Sequence, residues 1–275
     1  PQFSGDPLVR TPQTRTWEIG TSVDLERRST ARQGSREIAA QGSLDRTTLT
    51  LTAARDLGAI GMLELQVPIA TLRYREPATG ARRDVTGLAD ASLHFHRTRQ
   101  RTWWSTSLFL GLRLPTGATE ARSVVGDALP TVVQLGSGTL DPEFGACTHV
   151  KLARATAIAA CDHGRIALYE NSHHYREGYE FHARLLVTTA LAAGRVSAQL
   201  GLLHEIRSAA HAFGEAVPST ARKTLFAETS VWVALYRGLS LRSTLELPVH
   251  ASVSGTQLAD TLRVMAGLSY DFDRR

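Results

Sequence analysis

The chain has 275 residues, enough for two small domains or one large closed sheet, with 43% hydrophobic and 21% charged residues. No apolar run approaches the roughly 18 residues of a membrane-spanning helix, which excludes a helical membrane protein, and the composition excludes a disordered chain. The formal charge of +5 comes almost wholly from arginine, since Lys151 and Lys223 are the only lysines; it favours anionic headgroups or solutes and is spread too evenly for a nucleic-acid surface.

Period-two alternation, the mark of a two-faced strand, starts at Trp17, Ile19, Val23 and Leu25, interleaved with Glu18, Gly20, Ser22 and Asp24. Leu49, Leu51 and Ala53 then oppose Thr48, Thr50 and Thr52, and Leu63, Leu65, Val67 and Ile69 oppose Met62, Glu64, Gln66 and Pro68. Ala89, Ala91, Leu93 and Phe95 alternate with Asp90, Ser92, His94 and His96. In SLFLGLRLPTG (107–117), Leu108, Leu110, Leu112 and Leu114 share one side and Ser107, Phe109, Gly111 and Arg113 the other. Similar segments lie near 143–153, 155–168, 178–192, 194–207, 222–236, 238–250 and 258–273. Leu239, Leu241, Leu245 and Leu247, for example, stand against Arg242, Thr244 and Glu246.

The predicted connections alternate in length. Long ones fall at 28–43, 74–84, 115–137, 169–177, 208–221 and 251–257, and short ones near 57, 100, 154, 193 and 238. Long and short loops therefore sit at opposite ends, as in an up-and-down antiparallel transmembrane β-barrel with short periplasmic turns and long extracellular loops. About twelve strands are expected, in one domain spanning 1–275, and an even count leaves both termini in the periplasm. A soluble sandwich or lipocalin-like barrel is the alternative. Against it stand the long, nearly charge-free apolar faces and the Glu, Arg and His on the side a soluble core would occupy. PQFSGDPLVR has no signal-peptide pattern, so the expectation is a mature chain in a Gram-negative outer membrane with residues 1–15 as a periplasmic N-terminal segment.

Four separated motifs carry a family resemblance: VTGLADASLHFH, LFLGLRLPTG, QLGSGTLDPEFGACTHVKL and LELPVHASVSGTQLADTLRVMAGLSYDF. In order and spacing they resemble the outer-membrane barrel family named for the MetA pathway of phenol degradation, from about residue 85 to the C-terminus. The resemblance implies an outer-membrane barrel passing small, often hydrophobic or aromatic compounds. Two positions depart from the family pattern. Gly87-Leu88-Ala89-Asp90 stands for Gly-Leu-Gly-Asp, and the terminal aromatic, Phe272, precedes a tail of Asp273, Arg274 and Arg275.

Cys147 and Cys161 lie seven residues either side of Arg154, so a hairpin turning there makes them a cross-strand disulfide in an oxidising compartment. With no Cys-x-x-Cys or haem-attachment motif, no cofactor is expected. Ten histidines raise a metal hypothesis, but none has a carboxylate or cysteine at ligand spacing, so no metal is assigned. Ser92 and His94 have the spacing of a hydrolytic pair without a third residue, so no enzyme is expected.

Parity sends Glu18, Asp24, Glu64, Asp90, Arg113, Lys151, Glu180, Arg184, Arg195, Glu205, Arg242, Glu246 and Arg263 inward. These either pair with one another or set up a transverse field. Asp90, His94, His96, Arg113, His182, Arg184, Arg242 and Glu246 are the candidate pore lining, with Arg113 and Arg242 first. The loop 115–137 either folds in as a constriction or lies outside. Two functions stay open: a passive channel for small solutes, or a non-conducting barrel that anchors or sleeves a larger complex. The partners expected are outer-membrane lipid and lipopolysaccharide, a small solute and, in the second reading, other proteins.

Overall fold

The computed structural model describes residues 17–39, 42–75, 80–120, 134–236 and 238–272. In chain order the strands are β1 (Trp17–Gly34), β2 (Arg36–Ile38), β3 (Ser43–Asp56), β4 (Met62–Arg75), β5 (Arg82–Leu88), β6 (Ala91–Gln100), β7 (Trp104–Leu114) and β8 (Asp141–Lys151). They continue as β9 (Thr156–Arg165), β10 (Tyr175–Arg176), β11 (Glu180–Leu191), β12 (Val196–Arg207), β13 (Ala210–Ala212), β14 (Glu215–Val217), β15 (Arg222–Tyr236) and β16 (Leu239–Asp271). One antiparallel sheet runs β16-β15-β12-β11-β9-β8-β7-β6-β4-β3-β1, and β16 pairs back to β1 to close it. Closure leaves no edge, so every pass can satisfy its backbone within the sheet, the condition for crossing lipid.

The 33-residue β16 forms two passes. Its residues up to Val253 run against β15, and those from Val253 onward run against β1. Ser240 and Ser269 meet through their hydroxyls at 2.8 Å, so the chain must double back between them. The turn lies at Gly255, whose φ of +70° is left-handed backbone that glycine adopts freely. β5 and β6 share one pass, since both pair with β4; the register moves by one residue between Gln66↔Ser92 and Ile69↔Leu88. This bulge at Ala89 and Asp90 re-aims both side chains. The wall thus has twelve passes.

Leucines expected to face lipid do so: Leu108, Leu110 and Leu112 are 57, 68 and 41% exposed on the outer surface. Exposed aromatics mark both rims. Trp17, Trp103, Tyr236 and Phe272 lie at the short-turn rim, and Phe144, Tyr169 and Tyr179 at the other. An apolar band between aromatic girdles is the pattern of a membrane barrel.

The structure corrects four details. β1 continues to Gly34 and pairs with β2, so the loop expected at 28–43 begins later. The connection expected to be long at 251–257 is the tight turn at Gly255. Ala89, read as lipid-facing, is buried because the bulge turns it in. Lys151 and Arg195, read as inward, are exposed beside the short turns. The segment 1–15, the stretch 121–133 of the longest loop and the tail 273–275 lie outside the described residues.

Candidate functional site: a charged lumen and its outer mouth

The barrel encloses a cavity of about 530 Å³. Its lining reaches from Glu18, Ser240 and Ser269 near the short-turn rim to Arg165 and Glu177 near the opposite mouth. Among the described residues, ten carboxylates and nine guanidinium groups border it, so its formal charge nearly cancels. Trp232 is the aromatic residue in that lining.

The charges are paired rather than opposed across open space. Arg28 meets Glu26 and Asp260, and Arg263 meets Asp260, Glu205 and Glu246. Glu205 also takes Arg222, at 2.7 Å, and faces His182, which lies 3.2 Å from Glu180. Glu180 in turn binds Arg207 and Arg165. Arg165 continues to Asp141 and Glu177, which both bind Arg113, and Arg113 reaches Asp90. A chain of ion pairs thus runs around the wall through β1, β16, β15, β12, β11, β9, β8 and β7 to the bulge before β6. Arginine suits this role because its planar fork serves two or three carboxylates at once.

Glu177 enters this chain from the loop 166–179. Burial pushes its carboxyl up, but the guanidinium groups of Arg165, Arg113 and Arg207 outweigh that and hold it well below the usual glutamate range. The stem of the longest loop also turns inward. Asp90 accepts hydrogen bonds from the Gly117 N–H at 3.0 Å and from the Ser137 N–H and hydroxyl at 2.7 and 2.8 Å. Gly117 and Gly136 cross so closely that a Cβ on either would strike the other's backbone. Leu135 then packs into a cluster with Leu44, Ala70, Leu72, Tyr74 and Ala89. Neighbouring loops tie down the same stem: Asn171 donates to the Ser137 carbonyl at 2.8 Å, and the Leu140 N–H donates to the Tyr169 hydroxyl. Above it, β10, β13 and β14 make a small separate sheet from two loops.

Of the candidate pore residues, Asp90, Arg113, His182, Arg184, Arg242 and Glu246 border the cavity. Arg184 is paired with Glu228 and Glu246, both at 3.1 Å. His94 and His96 are not in that lining; they are buried on the inner side of β6 against Phe109, beside Glu64, which is. His94 lies 2.5 Å from Glu143, which sequence spacing does not reveal because Glu143 sits on β8. Cys147 and Cys161 are directly paired in register and bonded as a disulfide, with the hairpin turning at 152–155 as expected. The sequence reading missed Glu26, Arg28, Arg46, Asp141, Glu143, Arg165, Glu177, Arg207, Arg222, Glu228 and Asp260. Counting parity out to the strand ends finds those on strands except Asp260, which a register shift in β16 turns inward beside Arg263; nothing in the sequence marks Glu177, a loop residue that folds inward.

No protein-family model matches the chain, and no curated protein matches it. In fold it is similar to an outer membrane channel from Pseudomonas putida F1, at TM-score 0.77 and 15% identity over 98% of this chain and 100% of that one. It is also similar to the translocator domain of the autotransporter NalP from Neisseria meningitidis, at TM-score 0.53 and 12% identity over 94% of this chain and 89% of that one. At such identities the likeness concerns the fold alone, a closed antiparallel β-barrel.

Proposed function

We propose that this protein is a passive channel in a Gram-negative outer membrane that lets small solutes cross through its charged lumen. The observation that carries this reading is the combination of an apolar outer belt with a cavity bordered by ten carboxylates and nine guanidinium groups and reaching from one rim toward the other. Lipid solvates the first and solute the second. At the long-loop mouth Glu177 meets Arg113 and Arg165 and the loop stem is latched to Asp90.

The lining favours small polar or amphipathic solutes. Ten carboxylates set against nine guanidinium groups give little net preference for either ion sign, while offering hydrogen bonds of both polarities. The hydrophobic or aromatic cargo that the phenol-degradation resemblance implies has Trp232 to stack on in this lining. An aromatic solute that also carries a hydroxyl or carboxylate suits both features. That the Pseudomonas putida F1 protein of similar fold is an outer membrane channel supports the same reading.

Single-channel recording in a planar bilayer under a salt gradient tests it. Discrete small steps with weak ion selectivity are the expected result. A barrel that inserts but stays silent would favour a non-conducting anchor for a larger assembly, the reading to which the laced outer loops and the β10-β13-β14 sheet lend weight.

A further inference from the structure

Glu64 and His94 are direct partners across β4 and β6, and His96 is the next inward residue on β6. The three are 1, 2 and 8% exposed. His94 Nδ1 lies 3.8 Å from Glu64 Oε1, and His96 Nε2 lies 3.7 Å from Glu64 Oε2. One ligand atom from each falls within 4.8 Å of the others. These separations are too long for hydrogen bonds. They are a few tenths of an ångström wider than the roughly 3.4 Å between neighbouring ligands of a tetrahedral ion with bonds of about 2.1 Å.

The surroundings hold the ligands in place. His94 Nε2 lies 2.5 Å from the Glu143 carboxylate, which only accepts, so the ring donates there and is held with its Nδ1 toward Glu64. A histidine whose second nitrogen donates to a carboxylate is the usual outer support of a metal ligand. Gln66 donates to Glu64 Oε1 and orients it from the same strand. Phe109 packs against both imidazoles, with ring centroids 5.6 Å from each. Gly111 faces His94 in register, where any Cβ would collide with the imidazole. The cluster of Glu180, His182 and Glu205 also brings three ligand atoms together, but Arg165, Arg207, Arg222 and Arg263 already neutralise its carboxylates.

We propose that Glu64, His94 and His96 bind one divalent transition-metal ion of the zinc class, with Glu143 as the positioning residue for His94. Two imidazoles and a carboxylate suit zinc, copper(II) or nickel better than the harder calcium or magnesium. Glu64 borders the cavity, so the ion arrives from the lumen and its remaining coordination positions open toward it. The ion joins β4 to β6 and, through Glu143, braces β8. The site does not depend on whether the barrel conducts.

The test uses the full barrel folded in detergent, stripped with a chelator and titrated with zinc by calorimetry and with cobalt(II) by visible absorption. The expected result is one ion per chain. His96→Asn and Glu64→Gln should each weaken binding by at least about tenfold, and Glu143→Gln by about 10- to 100-fold. A double change of the outer-loop residues, His173→Asn with His174→Asn, should leave it unaltered. Heat-dependent electrophoretic mobility confirms that each variant is folded. X-ray absorption on the zinc-loaded wild type should count two imidazoles, a readout that needs no variant. No binding by the wild type, unchanged binding by folded His96→Asn, loss of binding in the loop variant, or fewer than two imidazoles would each overturn the proposal.

Discussion

Asp90 and Ser137 lie 47 positions apart and share two hydrogen bonds: the carboxylate accepts both the backbone N–H and the hydroxyl of Ser137. The bulge before β6 aims Asp90 at the loop stem, and a charged acceptor makes each bond worth about 1.5–3 kcal/mol. Asp90→Ala should therefore release residues 134–140 from the lumen while the barrel stays closed. Limited proteolysis should then cut the stem, and single-channel current should become larger and noisier. A stem that stays protected in the variant would mean that Asn171 and Tyr169 hold it alone.

Arg165 touches Asp141, Glu177 and Glu180. Removing one partner from a buried ion network leaves the others uncompensated, at a cost of about 3–5 kcal/mol. Arg165→Met should lower the urea midpoint of the barrel in lipid vesicles accordingly. Adding Asp141→Asn and Glu177→Gln should recover much of the loss. If the single variant unfolds like the wild type, the network contributes no stability.

The pH behaviour of the mouth follows from Glu177. Its carboxyl is held well below its ordinary value of 4.5 in the folded protein. A depressed value contributes stability that is fully present above the unfolded value and lost only as pH falls through the folded one. Protection of the loop 166–179 from proteolysis should thus stay constant from pH 7 down to about pH 4.5. Glu177→Gln should reduce that protection already at pH 7. Loosening of the wild-type loop between pH 7 and about 5 would contradict this assignment.

The Cys147–Cys161 bond closes a hairpin whose strands are already paired from Glu143↔Arg165 to Lys151↔Ala157. Cross-linking a loop of about 15 residues is worth up to about 3 kcal/mol in a free chain, and less where the ladder does the same work. Reduction should leave the barrel folded and shift its unfolding midpoint by less than that figure. Paired unfolding curves with and without reductant measure it.

Leu110, on the lipid face of β7, and Thr244, on the lumen face of β16, report the two sides of the wall. Leu110→Arg should cost about 2–4 kcal/mol of folding free energy in vesicles, the usual penalty for arginine near the bilayer centre. Thr244→Arg should fold and alter conductance instead. Equal tolerance of both would reverse the inside–outside assignment.

Much of this architecture is legible in the amino-acid order. Alternation over 107–114 assigns Leu108, Leu110 and Leu112 to lipid and Arg113 to the lumen, because a strand's side chains change face at every residue. The spacing of Cys147 and Cys161 about Arg154 places their hairpin for the same reason. Contacts between distant segments are not written that way. Glu64 meets His94 and His96 because β4 and β6 are neighbours in register, and Glu143 completes the group from β8. Glu177 meets Arg113 and Arg165 because a loop at the long-loop end folds into the mouth. Period-two alternation thus determined the face of the side chains within regular strand, a local property of extended backbone; it failed at the bulge that turns Ala89 inward. Strand register, the bulge at Asp90 and the inward course of the loops decided which side chains meet, because those depend on closing the whole sheet.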